Sequence, residues 1–355
     1  MIESFRAIRL KCHMDFRSDN TAAVHPNLIS RMAGINTANS ASYGSDEESK
    51  KLKNKLSDLF GSDLLYALVS TGTAANCVAL RTLCPSYGTV LTSDESHLNN
   101  DEGQAPELFL SGGKLRTFST SDKKFDLVAA QHWVDKATKM SPHAAKPSCV
   151  SITYATEWGD LYSVQELRDL RSFCDHNKLF LHVDGARFAN GLVANQFSAK
   201  EFVAILKPDA LSFGLTKNGA LQAEMVILFN QDFKNDFFYI HKQAAQLMSK
   251  TRFISAQILA LLEKDLWLDL AIHANEKASQ LKECLKDHHS FKIVNSAKTN
   301  QLFVQMNEKT KHVLEKQGCL FYHWQDDIYR FVTSWMTSDD EIKAFKEMTR
   351  ALASS

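Results

Sequence analysis

The chain has 355 residues, enough for one large domain or two moderate ones around a sizeable core, so it needs no disulfide staples to fold. Its 41 basic and 41 acidic residues cancel, which leaves no long-range field to gather nucleic acid or an anionic membrane surface and disfavours both as partners. Although 44% of residues are hydrophobic, the longest apolar runs, such as residues 258–262, fall far short of the roughly 20 needed to cross a bilayer, and a soluble protein is expected.

Residues 1–13 carry Arg6, Arg9 and Lys11 but no apolar core of a secretory signal, and are expected to be a frayed extension. Cys12, Cys77, Cys84, Cys149, Cys174, Cys284 and Cys319 are odd in number, scattered, and free of any C-x-x-C pair. That pattern argues against a disulfide framework and against a zinc site; it fits a reducing cytoplasm, with buried inert thiols as the ordinary case.

Ser45 and Glu48 have the spacing of a capping box, and Leu52, Leu56, Leu59 and Phe60 follow as one apolar stripe, so a core-facing helix is predicted there. Residues 64–69 read as a strand that feeds Ser70-Thr71-Gly72-Thr73 and a helical run over 74–83, stopped by Pro85. Small residues at a helix N-terminus suit either an ordinary N-cap or a phosphate cradle, where free N–H groups and the positive dipole end meet an anion. Strands are predicted again at 88–92 and 149–154, the second leading to a Ser163/Glu166 capping box and a helix with Leu167, Leu170 and Phe173 inward. The apolar run 179–183 delivers Asp184, followed by Gly185, to a strand end; residues 210–213 end at Gly214 and soon reach Lys217, before another strand-like run at 225–229. In an open α/β sheet such strand ends share one crevice, so an acid and an amine could face a common ligand. Each alone also reads as a turn residue or a solvated loop charge. Repeated strand–helix–strand units from 64 to 229 predict an α/β fold with a mostly parallel sheet covered by helices. Beyond 251 a long helix is predicted over 251–281, then short strands at 291–294 and 302–306 and a run at 328–334 containing Arg330. The expected organisation is an N-terminal segment 1–45, a large α/β domain 46–250, and a smaller α+β C-terminal domain 251–355.

Four motifs in register, Phe16-Arg17-Ser18-Asp19-Asn20-Thr21, Ser70-Thr71-Gly72-Thr73-Ala74-Ala75-Asn76, His182-Val183-Asp184-Gly185-Ala186-Arg187 and Ser212-Phe213-Gly214-Leu215-Thr216-Lys217-Asn218-Gly219, resemble the low-specificity L-threonine aldolases. These are fold-type I enzymes that use pyridoxal 5'-phosphate (PLP), and the likeness runs from about Asp15 to the C-terminus. It makes Met14 a candidate translation start. The resemblance implies that Lys217 carries the cofactor covalently, that Asp184 pairs with its pyridine nitrogen, and that Thr71, Gly72 and Thr73 bind its phosphate. It further implies that His97 lies over the ring as a stacking and proton-transfer residue, with Glu102 in support. Arg187 is implied to touch the cofactor or the substrate carboxylate, Arg330 and Ser18 to hold that carboxylate, and Tyr43 to reach a neighbouring subunit's site. Lys250 or Arg252 would lie near the phosphate across the interface of a homodimer or homotetramer with shared sites.

By the same resemblance the substrate is a small β-hydroxy-α-amino acid, L-threonine or L-allo-threonine, cleaved to glycine and an aldehyde. The lysine–aspartate pair is shared across the fold, so a β-eliminating lyase, an aminotransferase, or a non-catalytic PLP-binding descendant remain alternatives. The chain departs from the family at Ala245-Gln246, often Gly-His, at Met336, often acidic, and at Tyr154, usually a polar amide. These departures bear on the aldehyde side of the substrate, not on PLP binding.

Overall fold

The computed structural model describes residues 14–118, 122–286 and 288–353. The N-terminal extension 1–13, with Cys12, lies outside the described residues. Two compact units emerge: a large one of residues 24–157 and 161–268, and a small one whose described parts are 14–23, 158–160 and 269–353.

The large unit is built on seven strands: β1 Leu65–Val69, β2 Gly88–Ser93, β3 Lys114–Phe118, β4 Lys146–Thr153, β5 Phe180–Gly185, β6 Ala210–Gly214 and β7 Glu224–Leu228. They form one sheet in the order β1-β7-β6-β5-β4-β2-β3, with β7 antiparallel to both its neighbours and the rest running one way. Every residue of β6 and β7 is buried, which is why both read as continuous apolar runs rather than as alternating ones. Period 2 sends the side chains of β6 to opposite faces. Ala210 joins Val78, Ala79, Val226 and Leu228 under the helix Gly72–Leu83, while Phe213 packs edge-on against Phe60, Phe188 and Trp267. The edge strand β3, only five residues of mixed exposure, has no apolar run to announce it and was not expected.

Three expectations are corrected. The helix Glu47–Phe60 is capped by Asp46, one residue after the expected Ser45: the Asp46 carboxylate accepts from Ser49 N at 2.8 Å and Ser49 Oγ at 2.9 Å. The long helix 251–281 is two, Arg252–Leu262 and Leu266–Leu285, parted by Lys264 and Asp265 in the left-handed region (φ 53° and 56°) with no glycine to signal it. The division between units falls at 269 rather than 251, because the helix Arg252–Leu262, buried from Ile254 to Leu262, packs on the helices Pro26–Ile35 and Glu47–Phe60 of the large unit. Ser49 and Ser255 hydroxyls join these helices at 2.9 Å.

The small unit holds an antiparallel sheet of β8 Lys292–Ile293, β9 Gln301–Gln305, β10 Tyr322–Gln325 and β11 Ile328–Val332, in the order β10-β11-β9-β8. Residues 14–23 belong here and not to a separate N-terminal segment: Met14–Asp15 pairs with Cys319–Leu320, and Phe16 is buried against Phe331 and Phe345 at 6.3 and 5.8 Å between ring centres. The architecture is therefore the expected one: a mostly parallel α/β sheet covered by helices, with a smaller α+β unit.

Candidate active site

Because β1, β2, β4, β5 and β6 run one way, their C-terminal ends share one edge of the sheet. After β1 comes Thr71, which caps the helix Gly72–Leu83 by accepting from Ala74 N at 3.1 Å. A side chain added at Gly72 would meet no atom within 4 Å, so this helix N-terminus faces open space with N–H donors to offer. Gln246, at one of the departures, holds the loop before it: its Oε1 accepts from both Ser70 N, at 2.9 Å, and Ser70 Oγ, at 2.8 Å.

At the end of β5, Asp184 is 4% exposed, with Oδ1 accepting from Ala186 N at 3.0 Å and Oδ2 from Asn76 Nδ2 at 2.8 Å. The same Asn76 nitrogen donates to Glu102 Oε1 at 2.7 Å, and His97 Nδ1 donates to that oxygen at 2.8 Å. The Glu102 bond, opposed by burial, raises the His97 pKa above the usual imidazole value, and the charges of Asp184 and Lys217 are close enough to act on it in opposite senses. With Nδ1 engaged as donor, the neutral ring presents Nε2 as its acceptor. The backbone of His97 is fixed as well, its N–H donating at 2.8 Å to Glu157 Oε1, which also accepts from Thr153 Oγ1 at 2.7 Å.

Lys217 lies just beyond β6 in the short turn Thr216–Asn218. Asn218 Nδ2 donates to Trp267 O at 2.7 Å, Thr216 N donates to Glu224 Oε1 at 3.1 Å, and Ala223 N donates to Thr216 Oγ1 at 3.2 Å. Gly219, at φ 97°, closes the turn in a conformation that favours glycine. Two further carboxyls, Glu224 buried and Glu157 half-buried, thus flank the site, and desolvation pushes both up to about 7. His182, in the Asp184 motif, is structural: it is fully buried between Ser151 Oγ and Ser212 Oγ, at 2.8 and 2.9 Å, and burial lowers its pKa to about 4.

The fold therefore brings Thr71, Gly72, Thr73, His97, Asp184, Arg187 and Lys217 to one set of strand ends. Tyr43 lies elsewhere in the large unit, exposed, at φ 55° and under the Lys242 ammonium, beside a cavity of about 260 Å³ that Tyr66, Phe238 and His241 also line. Lys250 is exposed nearby in sequence, and the Arg252 guanidinium covers Phe253 at 4.8 Å. In the small unit, Ser18 Oγ caps the turn Asp19–Thr21, and Arg330 on β11 lies over the rings of Trp324 and Tyr322 at 4.9 and 5.8 Å. Tyr154 is not a site residue: its ring is buried against Phe188 and Phe202, and its hydroxyl accepts from Asn195 and donates to Gly191 O.

Sequence reasoning missed Asn76, Glu157 and Glu224 as site residues. For Asn76 a signal existed, since Asn is a poor residue for the second turn of a helix where neither cap nor turn explains it. Glu157 and Glu224 gave none, because their partners come from other elements.

An amine on a tight turn, a doubly donated carboxylate, an imidazole and an open helix N-terminus are the groups needed to hold an aldehyde, a pyridinium and a phosphate, so the residues present fit PLP. Comparison with known proteins agrees. The beta-eliminating lyase family model matches residues 15–309. The low specificity L-threonine aldolase of Pseudomonas aeruginosa is 35% identical over 337 residues, spanning 94% of this chain and 96% of that protein. Its counterpart from a Pseudomonas species is 34% identical, spanning 96% and 98%. The solved threonine aldolase of Leishmania major superposes with a TM-score of 0.89 at 26% identity, over 95% of this chain and 99% of that one. The chain belongs to the beta-eliminating lyase family, and its cofactor is PLP.

Proposed function

We propose that this protein is a PLP-dependent aldolase that cleaves L-threonine and L-allo-threonine to glycine and acetaldehyde. The observation that carries the reading is the imidazole of His97, held through Nδ1 by buried Glu102 so that Nε2 is the acceptor, among strand ends that also bear Lys217 and Asp184. Retro-aldol cleavage needs a base for the β-hydroxyl proton, and an imidazole whose Nδ1 is held by a carboxylate offers Nε2 for that purpose. PLP, when bound, supplies the electron sink for the pair left on Cα. Lys217 holds the cofactor, Asp184 pairs with its ring nitrogen, and the N–H groups at Thr71, Gly72 and Thr73 bind its phosphate.

Arg330, Ser18 and Arg187 are assigned to the substrate side by the sequence resemblance, Arg330 as a two-pronged carboxylate fork. We also assign the protein to the cytoplasm and to a homodimer or homotetramer in which Tyr43 and the Lys250/Arg252 region serve a neighbouring site. The exposed Tyr43 ring and the free thiols of all six described cysteines are in keeping with this.

Product analysis tests the reading. Incubated with L-threonine, L-allo-threonine and L-serine, the protein is expected to release glycine and the matching aldehyde in equal amounts. Ammonia and a keto acid in their place would assign it to β-elimination.

A further inference from the structure

We propose that Asn76 is a positioning residue that ties the acid of the cofactor's ring nitrogen to the histidine over the ring. The proposal rests on the assignments of Asp184 and His97 given above. Asn76 is buried at 2% exposure in the helix Gly72–Leu83, and its one amide nitrogen donates to Glu102 Oε1 at 2.7 Å and to Asp184 Oδ2 at 2.8 Å. Both neighbours are carboxylate oxygens, which accept when ionised, so the nitrogen and not the oxygen of the amide must face them.

The consequence is geometric. Glu102 and Asp184 come from different elements, carry like charge, and are held apart on the two diverging hydrogens of a single –NH2 group. Glu102 Oε1 takes its second hydrogen bond from His97 Nδ1, and Asp184 Oδ1 is fixed by Ala186 N, so the chain runs His97, Glu102, Asn76, Asp184, backbone. The other end of the amide is not satisfied: among the described residues Asn76 Oδ1 is buried without a hydrogen-bond partner. A buried unpaired carbonyl detracts from stability, so a side chain serving stability alone would be apolar here. What Asn76 supplies, and no apolar residue can, is two N–H donors to two carboxylates.

Equilibrium titration of the apoproteins with PLP is the test, with thermal melting of each apoprotein to register structural effects. Asn76→Leu keeps the branched heavy-atom outline and removes both donors, and it should weaken PLP binding about ten- to a hundredfold, the usual effect of losing a hydrogen bond to a charged group. Glu102→Ala should also weaken PLP binding, and because both variants break the same bridge, the double variant should fall short of the product of the two single effects. Should the leucine variant fail to fold, Asn76→Asp, which keeps the shape and offers at most one proton, is expected to show the same weakening. Asp184→Asn separates the layers of the argument. If it binds PLP like the parent, the Asp184 assignment fails and the bridge with it; if it loses binding while Asn76→Leu and Asn76→Asp do not, or if the Glu102 and Asn76 effects simply multiply, the bridge is wrong and the Asp184 assignment stands.

Discussion

Arg330 is where two readings of one side chain diverge most. An arginine serving a surface ion pair contributes about 0–1 kcal/mol, and its loss leaves kinetics alone. The guanidinium lies over the rings of Trp324 and Tyr322 at 4.9 and 5.8 Å, and the Asp327 carboxylate accepts from Gln305 Nε2 at 2.9 and 3.1 Å. A two-pronged pair with the substrate carboxylate is worth about 1.5–3 kcal/mol, so Arg330→Leu should lower kcat/KM roughly ten- to two-hundredfold. Arg330→Lys, which keeps charge but not fork geometry, should fall between. Cofactor absorbance should survive in both; unchanged kcat/KM in Arg330→Leu would remove the residue from substrate binding.

Among the elements, the N-terminus of Glu47–Phe60 shows how local signals mislead by one residue. Ser45 and Glu48 have the right spacing, yet Asp46 makes the cap, and it does so while buried and also 3.4 Å from Thr251 Oγ1. Asp46→Ala should therefore cost about 1–2 kcal/mol in denaturant unfolding and Ser45→Ala almost nothing; the reverse order would restore the Ser45 cap. Similar physics decides what was legible elsewhere. Strands β5 and β6 were readable because burial on both faces leaves an apolar run that stops at Asp184 and at Gly214. The Ser163 capping box was readable because both its bonds are local. The break at Lys264 and Asp265 was not, since non-glycine residues there adopt positive φ under tertiary packing. Nor was the chain from His97 to Asp184, whose bonds join residues 5, 26 and 108 positions apart.

Taken as a whole, the molecule keeps two carboxyls beside the candidate site protonated well above the usual carboxylate range. Glu157 and Glu224 are pushed up to about 7 by burial, from an ordinary value of 4.5. Between those values the folded protein holds a proton that the unfolded chain has released, so the stability each contributes is present below about 4.5 and lost as pH rises through 7. His182, lowered to about 4, works in the opposite sense: its contribution is lost as pH falls from 6.5 toward 4. Glu224→Gln removes one carboxyl's share, so relative to the parent the variant should gain up to about 3 kcal/mol between pH 5 and pH 8 in unfolding of the apoprotein. A difference independent of pH would contradict the raised Glu224. Assembly belongs to the same scale: if Tyr43 serves a neighbouring site, a monomer by light scattering at assay concentration should be inactive, and a fully active one would contradict shared sites.

The claim on which the rest depends is that the strand-end cluster is the PLP site, with Lys217 as its amine. Borohydride reduction of the yellow holoprotein, followed by peptide mapping, reads this directly. The account predicts one pyridoxyl group, on the peptide bearing Thr216-Lys217-Asn218-Gly219, and its loss in Lys217→Ala. A label on any other lysine, or none after reduction, would contradict it.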